Sequence, residues 1–367
     1  MSTLSFSVAL TACRLLGDAA SGRPLSVELL PDSAQLLGFS KAHRLETLIS
    51  SALRTVGADS DTYHTLHTVA DIAAFHQTKN DLITADVLDR LSAAGICALP
   101  LKGAAIQAVY PDGWIRTATD TDLYINSDDL PVAAEILKQV HFTQAGAHNG
   151  DICFVKPPRT VIELHTTLGG YSRKQRRTLK RLGTVPFTVN EHYVYALFHL
   201  YQHLLYAGAG VRLFFDLYRL SQAVTDRLVV VQWLDDLELR AFEQAVLTVN
   251  GILFDGNPSS DAMDNVIELI LRSGAFGNTD THRAIKATAV PKTRFRRWLD
   301  NTCFDHESMA VRYPVLKGRL WLYPFCAAHR IVKGFFFKRT VWQQAIQSAA
   351  PVDRTLTEQA LKALHIL

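Results

Sequence analysis

The stretch Leu99–Ile125 reads LPLKGAAIQAVYPDGWIRTATDTDLYI, and it decides the fold. It closes on Thr119-Asp120-Thr121-Asp122-Leu123-Tyr124-Ile125, two carboxylates one residue apart followed by apolar residues. On a β-strand, residues i and i+2 point to the same face. Asp120 and Asp122 are therefore predicted to project together from one side of a strand, or from its mouth. Adjacent carboxylates repel each other unless a cation sits between them. A hard divalent cation such as Mg²⁺ takes oxygen ligands and commonly keeps phosphate oxygens as its other partners. The pair points to a metal–nucleotide site.

Immediately upstream, Ile96–Leu101 is a short apolar run consistent with a buried strand. Lys102-Gly103 then turns into the helical pattern AAIQAVY. Such a junction aims backbone N–H groups at whatever lies beyond it, which is why helix N-termini bind phosphate, and Lys102 adds a point charge. Arg116 precedes Asp120 by four residues, as an ion-pair partner of the carboxylates or a direct nucleotide contact. Downstream, Asp128-Asp129-Leu130-Pro131 opens a helix with the aspartates as caps. Val161–His165 then reads as a strand with Glu163 among apolar residues. Arriving on a neighbouring strand, Glu163 completes a carboxylate cage; on an edge strand it is a surface glutamate. His165 shares its face.

Further out, residues 1–95 read as helical, with apolar residues at three- and four-residue steps and a stop at Ala93-Ala94-Gly95. SRKQRRTLKR over 172–181 is either a solvated face or a funnel for an anionic substrate. His199 and His203 lie four apart on an apolar helix and so share a face. That spacing can serve zinc, but no acidic or thiol ligand accompanies them, which favours buried hydrogen bonding or a nucleotide-facing role. Arg212 and Asp216, also four apart, are expected to pair internally on the next helix, across the hairpin Ala207-Gly208-Ala209-Gly210. From 283 to 339 bases exceed acids and aromatics interleave them, which suits an RNA or membrane surface, or a helical domain whose long cations cover aromatic packing.

The whole chain has 367 residues, a formal net charge of +3 and 48% hydrophobic residues. That length exceeds one typical domain and buries a large core. The mild basicity is not that of a dedicated nucleic-acid binder. Five dispersed cysteines without C-x-x-C spacing argue against a disulfide framework or a thiolate zinc site. The N-terminus lacks the positive region of a secretory signal, and no apolar run is long enough to span a bilayer. A cytoplasmic location is expected.

These pieces together resemble an uncharacterised bacterial nucleotidyltransferase-like family with the nucleotidyltransferase fold of DNA polymerase β. The resemblance rests on Leu101-Lys102-Gly103-Ala104-Ala105, on Arg116 with Asp120 and Asp122, on Ile162-Glu163-Leu164-His165, on the His199/His203 helix, and on Arg212 with Asp216. The Asn80 helix and Arg312-Tyr313-Pro314 add to it, so it covers roughly residues 40–340. It implies an α+β fold, a small mixed sheet embedded in mainly helical N- and C-terminal regions. The expected division is a helical region over 1–95, a catalytic core over 96–190 and a helical domain over 191–367. It also implies a two-ion Mg²⁺ site on Asp120, Asp122 and Glu163, and a nucleoside triphosphate donor, ATP first among them. Lys102, Gly103, Arg116, His165, His199, His203 and Arg212 would line the nucleotide site. Thr119 stands where relatives usually carry Gly, and Lys102-Gly103 where many carry Gly-Ser. The implied reaction moves a nucleoside monophosphate to a hydroxyl acceptor with release of pyrophosphate. The acceptor, a small molecule, peptide, natural product or protein, is not legible, and the basic segments 173–181 and 283–339 are candidate contacts for an anionic one. The rival readings are an inactive nucleotide-binding or scaffold protein, and a transferase acting on tRNA or another RNA end.

Overall fold

The structure is a computed structural model, and it describes residues 6–24, 30–55, 63–148, 151–158, 160–289, 322–326, 329 and 355–367. Four helices come first: α1 (Phe6–Ser21), α2 (Ser33–His43), α3 (Glu46–Thr55) and the 30-residue α4 (His64–Ala93). A five-stranded sheet follows, formed by β1 (Leu99–Leu101), β2 (Thr121–Tyr124), β3 (Thr143–His148), β4 (Asp151–Lys156) and β5 (Thr160–His165). Its order is β1-β2-β5-β4-β3. Only the β2–β5 pair is parallel, so the sheet is mixed, as expected. The short helix α5 (Lys102–Ile106) leaves β1, and α6 (Leu130–Gln139) follows β2. The helical part continues with α7 (Arg173–Leu182), α8 (Val189–Tyr206), α9 (Val211–Ala223), α10 (Arg227–Leu237), α11 (Arg240–Asn250), α12 (Asp261–Ser273), α13 (Thr279–Ala289) and α14 (Thr355–Ala363).

Strand alternation gives the sheet two unlike faces. Leu123 on β2, Ile162 and Leu164 on β5 and Phe154 on β4 turn to one side. There they meet Val87 and Leu91 of α4 and Leu137 of α6 in a compact core. The residues between them, Asp122, Glu163 and His165, necessarily face the other way. A larger core joins the N-terminal helices to the later ones. Leu16 of α1, Phe39 of α2 and Ile49 of α3 belong to the same cluster as Phe198 of α8, Phe214 of α9 and Ile270 of α12.

Helix α4 bridges the two cores. At 1.5 Å per residue it is about 45 Å long. Leu66 near its start joins the large core, and Val87 and Leu91 near its end join the small one. Its middle is polar and grips the site. Ala118 N–H donates to Gln77 Oε1, Thr160 Oγ1 donates to Asn80 Oδ1 at 2.8 Å, and Thr84 and Thr121 hydroxyls lie 3.3 Å apart.

Two local expectations need correction, and the basic helix α7 adds a detail. The strand before the turn is shorter than the apolar run 96–101, because Ile96 N–H caps α4 by bonding to Leu91 C=O. The cap before α6 comes from Asn126, whose side chain accepts from Asp128 N–H; the Asp129 side chain caps nothing. The basic helix α7 is tied down in part: Lys174 reaches Glu238 at 3.2 Å, and Arg181 pairs with Asp236 and sits 4.8 Å from the Trp233 ring. Most of the basic segment 283–339, with Arg312-Tyr313-Pro314, lies outside the described residues.

Candidate active site

The site is built by the parallel pairing of β2 and β5, which sets Asp122 directly beside Glu163. His165, two residues along β5, completes the row. Ligand atoms of Asp122, Glu163 and His165 all lie within 4.8 Å of one another, close enough to hold a metal ion. Asp120 stands two residues before Asp122 and is exposed at the strand's mouth.

Asp122 is buried, yet its charge is well supported. Lys102 Nζ donates to Oδ1 at 3.0 Å, and His165 Nε2 lies 2.6 Å from the same atom. Burial pushes the carboxyl up, but the hydrogen bond from His165 and the charge of Lys102 outweigh it and hold it at about 2. His165 Nδ1 in turn lies 3.1 Å from Asp151 Oδ1. Burial lowers the imidazole, and the carboxylates on either side raise it further, to about 9. At neutral pH His165 is therefore a cation bracketed by two carboxylates. Both donors use Oδ1, so Asp122 Oδ2 carries no hydrogen bond among the described residues. Glu163 shows the opposite pressure: burial first, then the charges of Asp122 and Asp120, raise its carboxyl above the ordinary glutamate value. Asp122 Oδ2 and the half-buried Glu163 offer carboxylate oxygens of the kind hard divalent cations take, and the exposed Asp120 stands two residues before Asp122. These residues fit the metal that the resemblance implies.

The turn that delivers Lys102 is unusual. Lys102 itself adopts φ 50°, in the left-handed region, a conformation that costs a non-glycine residue roughly 1 kcal/mol or more. Gly103 needs its small size. A Cβ there would meet Arg116 Nη1 at 3.0 Å and the Ala118 Cβ at 3.2 Å.

Arg116 is fixed by Asp216 of α9. Its Nε donates to Oδ1 at 3.0 Å, its Nη2 donates to Oδ2, and the Tyr110 hydroxyl donates to Oδ1 at 2.7 Å. All three residues are buried. The Arg212–Asp216 pair expected from their spacing is not made among the described residues. Asp216 turns across to Arg116, 100 residues away in sequence. The bidentate fork satisfies both of its oxygens. Arg212 instead donates to the Arg44 carbonyl and approaches Thr117 Oγ1 at 3.4 Å.

A cavity of about 710 Å³ opens beside Asp120 and Asp122. That lies within the size range of sites for small ligands. Of the sequence-predicted residues, Lys102, Gly103, Arg116, Asp120, Asp122, His199, His203 and Arg212 line it, whereas Glu163 and His165 lie behind Asp122 on β5. The His199 and His203 Nε2 atoms lie 3.1 Å apart. Burial first, then the charge of Lys102, lowers both, His203 to about 4, so both rings are neutral at pH 7. Lys41, Arg44 and Gln77 also reach the cavity. Sequence reasoning missed these three because each lies on a helix end or face that reads as ordinary solvated surface.

Residues 31–255, more than half of the chain, match the family described as uncharacterised nucleotidyltransferase. The chain belongs to this family. The membership agrees with the α+β fold. Neither a curated protein nor a solved structure matches it. No helix among the described residues of this nucleotidyltransferase family member is long and apolar enough to cross a membrane.

Proposed function

We propose that this protein transfers a nucleoside monophosphate from a nucleoside triphosphate to a hydroxyl acceptor and releases pyrophosphate, with Mg²⁺ as the metal and ATP the first donor to test. One observation carries the reading: the β2–β5 register sets Asp122 beside Glu163, with Asp120 two residues before, at the wall of a cavity large enough for a nucleotide. Asp120, Asp122 and Glu163 would hold the cation. When bound, divalent ions act as Lewis acids that activate an acceptor hydroxyl and stabilise a departing pyrophosphate.

The chain's own groups do the positioning. His165 and Lys102 hold the Asp122 carboxylate ionised and fix its rotamer through Oδ1, leaving Oδ2 directed elsewhere. Gln77 anchors the backbone at Ala118 and so sets where Asp120 emerges. The Arg116–Asp216 fork locks the same loop to the helical part of the molecule. The neutral imidazoles of His199 and His203 offer the nucleotide hydrogen bonds without adding charge beside Lys102.

A second reading has its own support. Lys102 neutralises Asp122 from within the chain, which suits a protein that binds nucleotides without transferring them. Calorimetric titration of ATP, GTP, CTP and UTP with Mg²⁺, on wild type and an Asp120→Ala/Asp122→Ala double variant, tests the site. Metal-dependent binding of one nucleotide, lost in the variant, is the expected result. Pyrophosphate release in the presence of hydroxyl acceptors separates the readings: transfer requires release that Asp122→Asn abolishes while the fold is kept.

A further inference from the structure

Two of the cations facing the cavity are already committed. Lys102 is bound to Asp122, and Arg116 to Asp216. Neither is free to receive the phosphates of a nucleotide without giving up a carboxylate. Three others remain: Lys41 near the end of α2, Arg44 just after it, and Arg212 in the first turn of α9. Among the described residues, none of the three makes an ion pair.

Arg212 is the telling member. Its residue is 3% exposed, and among the described residues its guanidinium donates only to the Arg44 carbonyl and, at 3.4 and 3.5 Å, to Thr117 Oγ1. A buried charge without a counter-ion is costly. Burial first, then repulsion from Arg116, depresses its pKa to about 9, and the charges of Asp216, Tyr110 and Glu46, which also lines the cavity, offset only part of this. Arg44 holds φ 54° and lies 5.6 Å from the Phe276 ring centroid, while Lys41 and Arg44 are both exposed at the cavity wall. Thr117 precedes Asp120 by three residues, a span of at most ~10 Å of chain. The three cations thus flank the same opening as the acidic pair.

We propose that Arg212, Arg44 and Lys41 form a phosphate-binding site in the wall of the cavity that Asp120 and Asp122 also line. The site takes either the terminal phosphates of the donor or a phosphate carried by the acceptor. Planar Arg212 grips the phosphate oxygens as a fork, Thr117 Oγ1 adds a donor, and Lys41 and Arg44 close the outer side as point charges. The proposal deepens the transfer reading and rests on it only for the origin of the phosphate.

The test is calorimetric titration with pyrophosphate alone, without divalent metal, so that the acidic pair contributes no attraction. Wild type is expected to bind it. Arg212→Gln is expected to weaken binding at least tenfold, and so is a Lys41→Gln/Arg44→Gln double variant. The double variant changes only exposed residues and decides the matter if Arg212→Gln does not fold. Lys174→Gln, which removes a positive charge on α7, is expected to bind as wild type does. Failure of wild type to bind pyrophosphate, or equal binding by wild type and the double variant, overturns the proposal. Parallel titrations identify the source. If Arg212→Gln weakens ATP and leaves AMP unchanged, the phosphate belongs to the donor. If pyrophosphate and ATP bind wild type together, it belongs to the acceptor. Pyrophosphate binding in a protein that releases none from any triphosphate would end the transfer reading and leave the site standing.

Discussion

Asp122 is the residue on which the site turns, because it is both buried and charged. A buried carboxylate survives only with partners, and the two it has, Lys102 and His165, come from different strand ends. Removing one partner of a buried pair costs roughly 3–5 kcal/mol, since the other charge is left uncompensated. Lys102→Met should therefore lower thermal stability markedly when chelator is present. If the acidic set binds Mg²⁺, the ion can take over part of the neutralisation, and ligand binding stabilises the fold by mass action. The expected outcome is a larger Mg²⁺-induced rise in melting temperature for Lys102→Met than for wild type. Equal rises in both would mean that the carboxylates do not exchange Lys102 for a metal.

At the scale of elements, the helical scaffold depends on close backbone approach as well as side-chain packing. Gly17 in α1 faces the turn of π-helix at Gly251–Asp255, and a Cβ there would fall 1.9 Å from the Phe254 carbonyl oxygen. Alanine favours a helix over glycine by about 1 kcal/mol, yet here backbone meets backbone and neither side can rotate away. Gly17→Ala should destabilise the protein by about 3 kcal/mol or more through overpacking, read as a lower urea midpoint with unchanged slope. A neutral or stabilising effect would show that α1 does not dock in this way. The elements also divide by how far sequence could reveal them. The apolar company of Glu163 in Val161–His165 made β5 legible, and with it Glu163 and His165 on one face. The acidic pair at β2 was legible because its spacing matches strand geometry. The Arg116–Asp216 fork was not, since a four-residue spacing on one helix is satisfied equally well by a contact 100 residues away. Nor was the polar centre of α4: Gln77, Asn80 and Thr84 look like solvent-facing residues until the sheet is placed beside them. Lys102 in the left-handed region was hidden by its neighbour, because Gly103 is the residue that a turn would be expected to use.

Across the whole molecule, the site lies where the N-terminal helices, the sheet and α8–α9 converge, and one buried histidine joins two of these parts. His43, at the end of α2, is 2% exposed. Val211 N–H, at the start of α9, donates to its Nδ1 at 3.4 Å, so this nitrogen must be the unprotonated acceptor. A second proton would set two donors against each other. Burial lowers its pKa from 6.5 to about 4, against a smaller opposing effect of a hydrogen bond to the Leu271 backbone. The unfolded chain therefore takes up a proton more readily than the folded one. This contribution to stability is complete above pH 6.5, falls as the pH drops below it, and is exhausted below about pH 4. With about 1.4 kcal/mol per pH unit, the loss at pH 5 is about 2 kcal/mol. At pH 5, in the upper part of this window, most ordinary carboxylates are still ionised. Urea unfolding of wild type at pH 7.5 and pH 5 should show a decrease of about that size from this group, and His43→Gln should flatten the pH dependence by the same amount. An undiminished pH dependence in His43→Gln would place the acid sensitivity elsewhere. Because α9 also carries Arg212 and Asp216, opening the α2–α9 junction by acid should weaken nucleotide binding in parallel with stability, and a titration of ATP over the same pH range would show the two falling together.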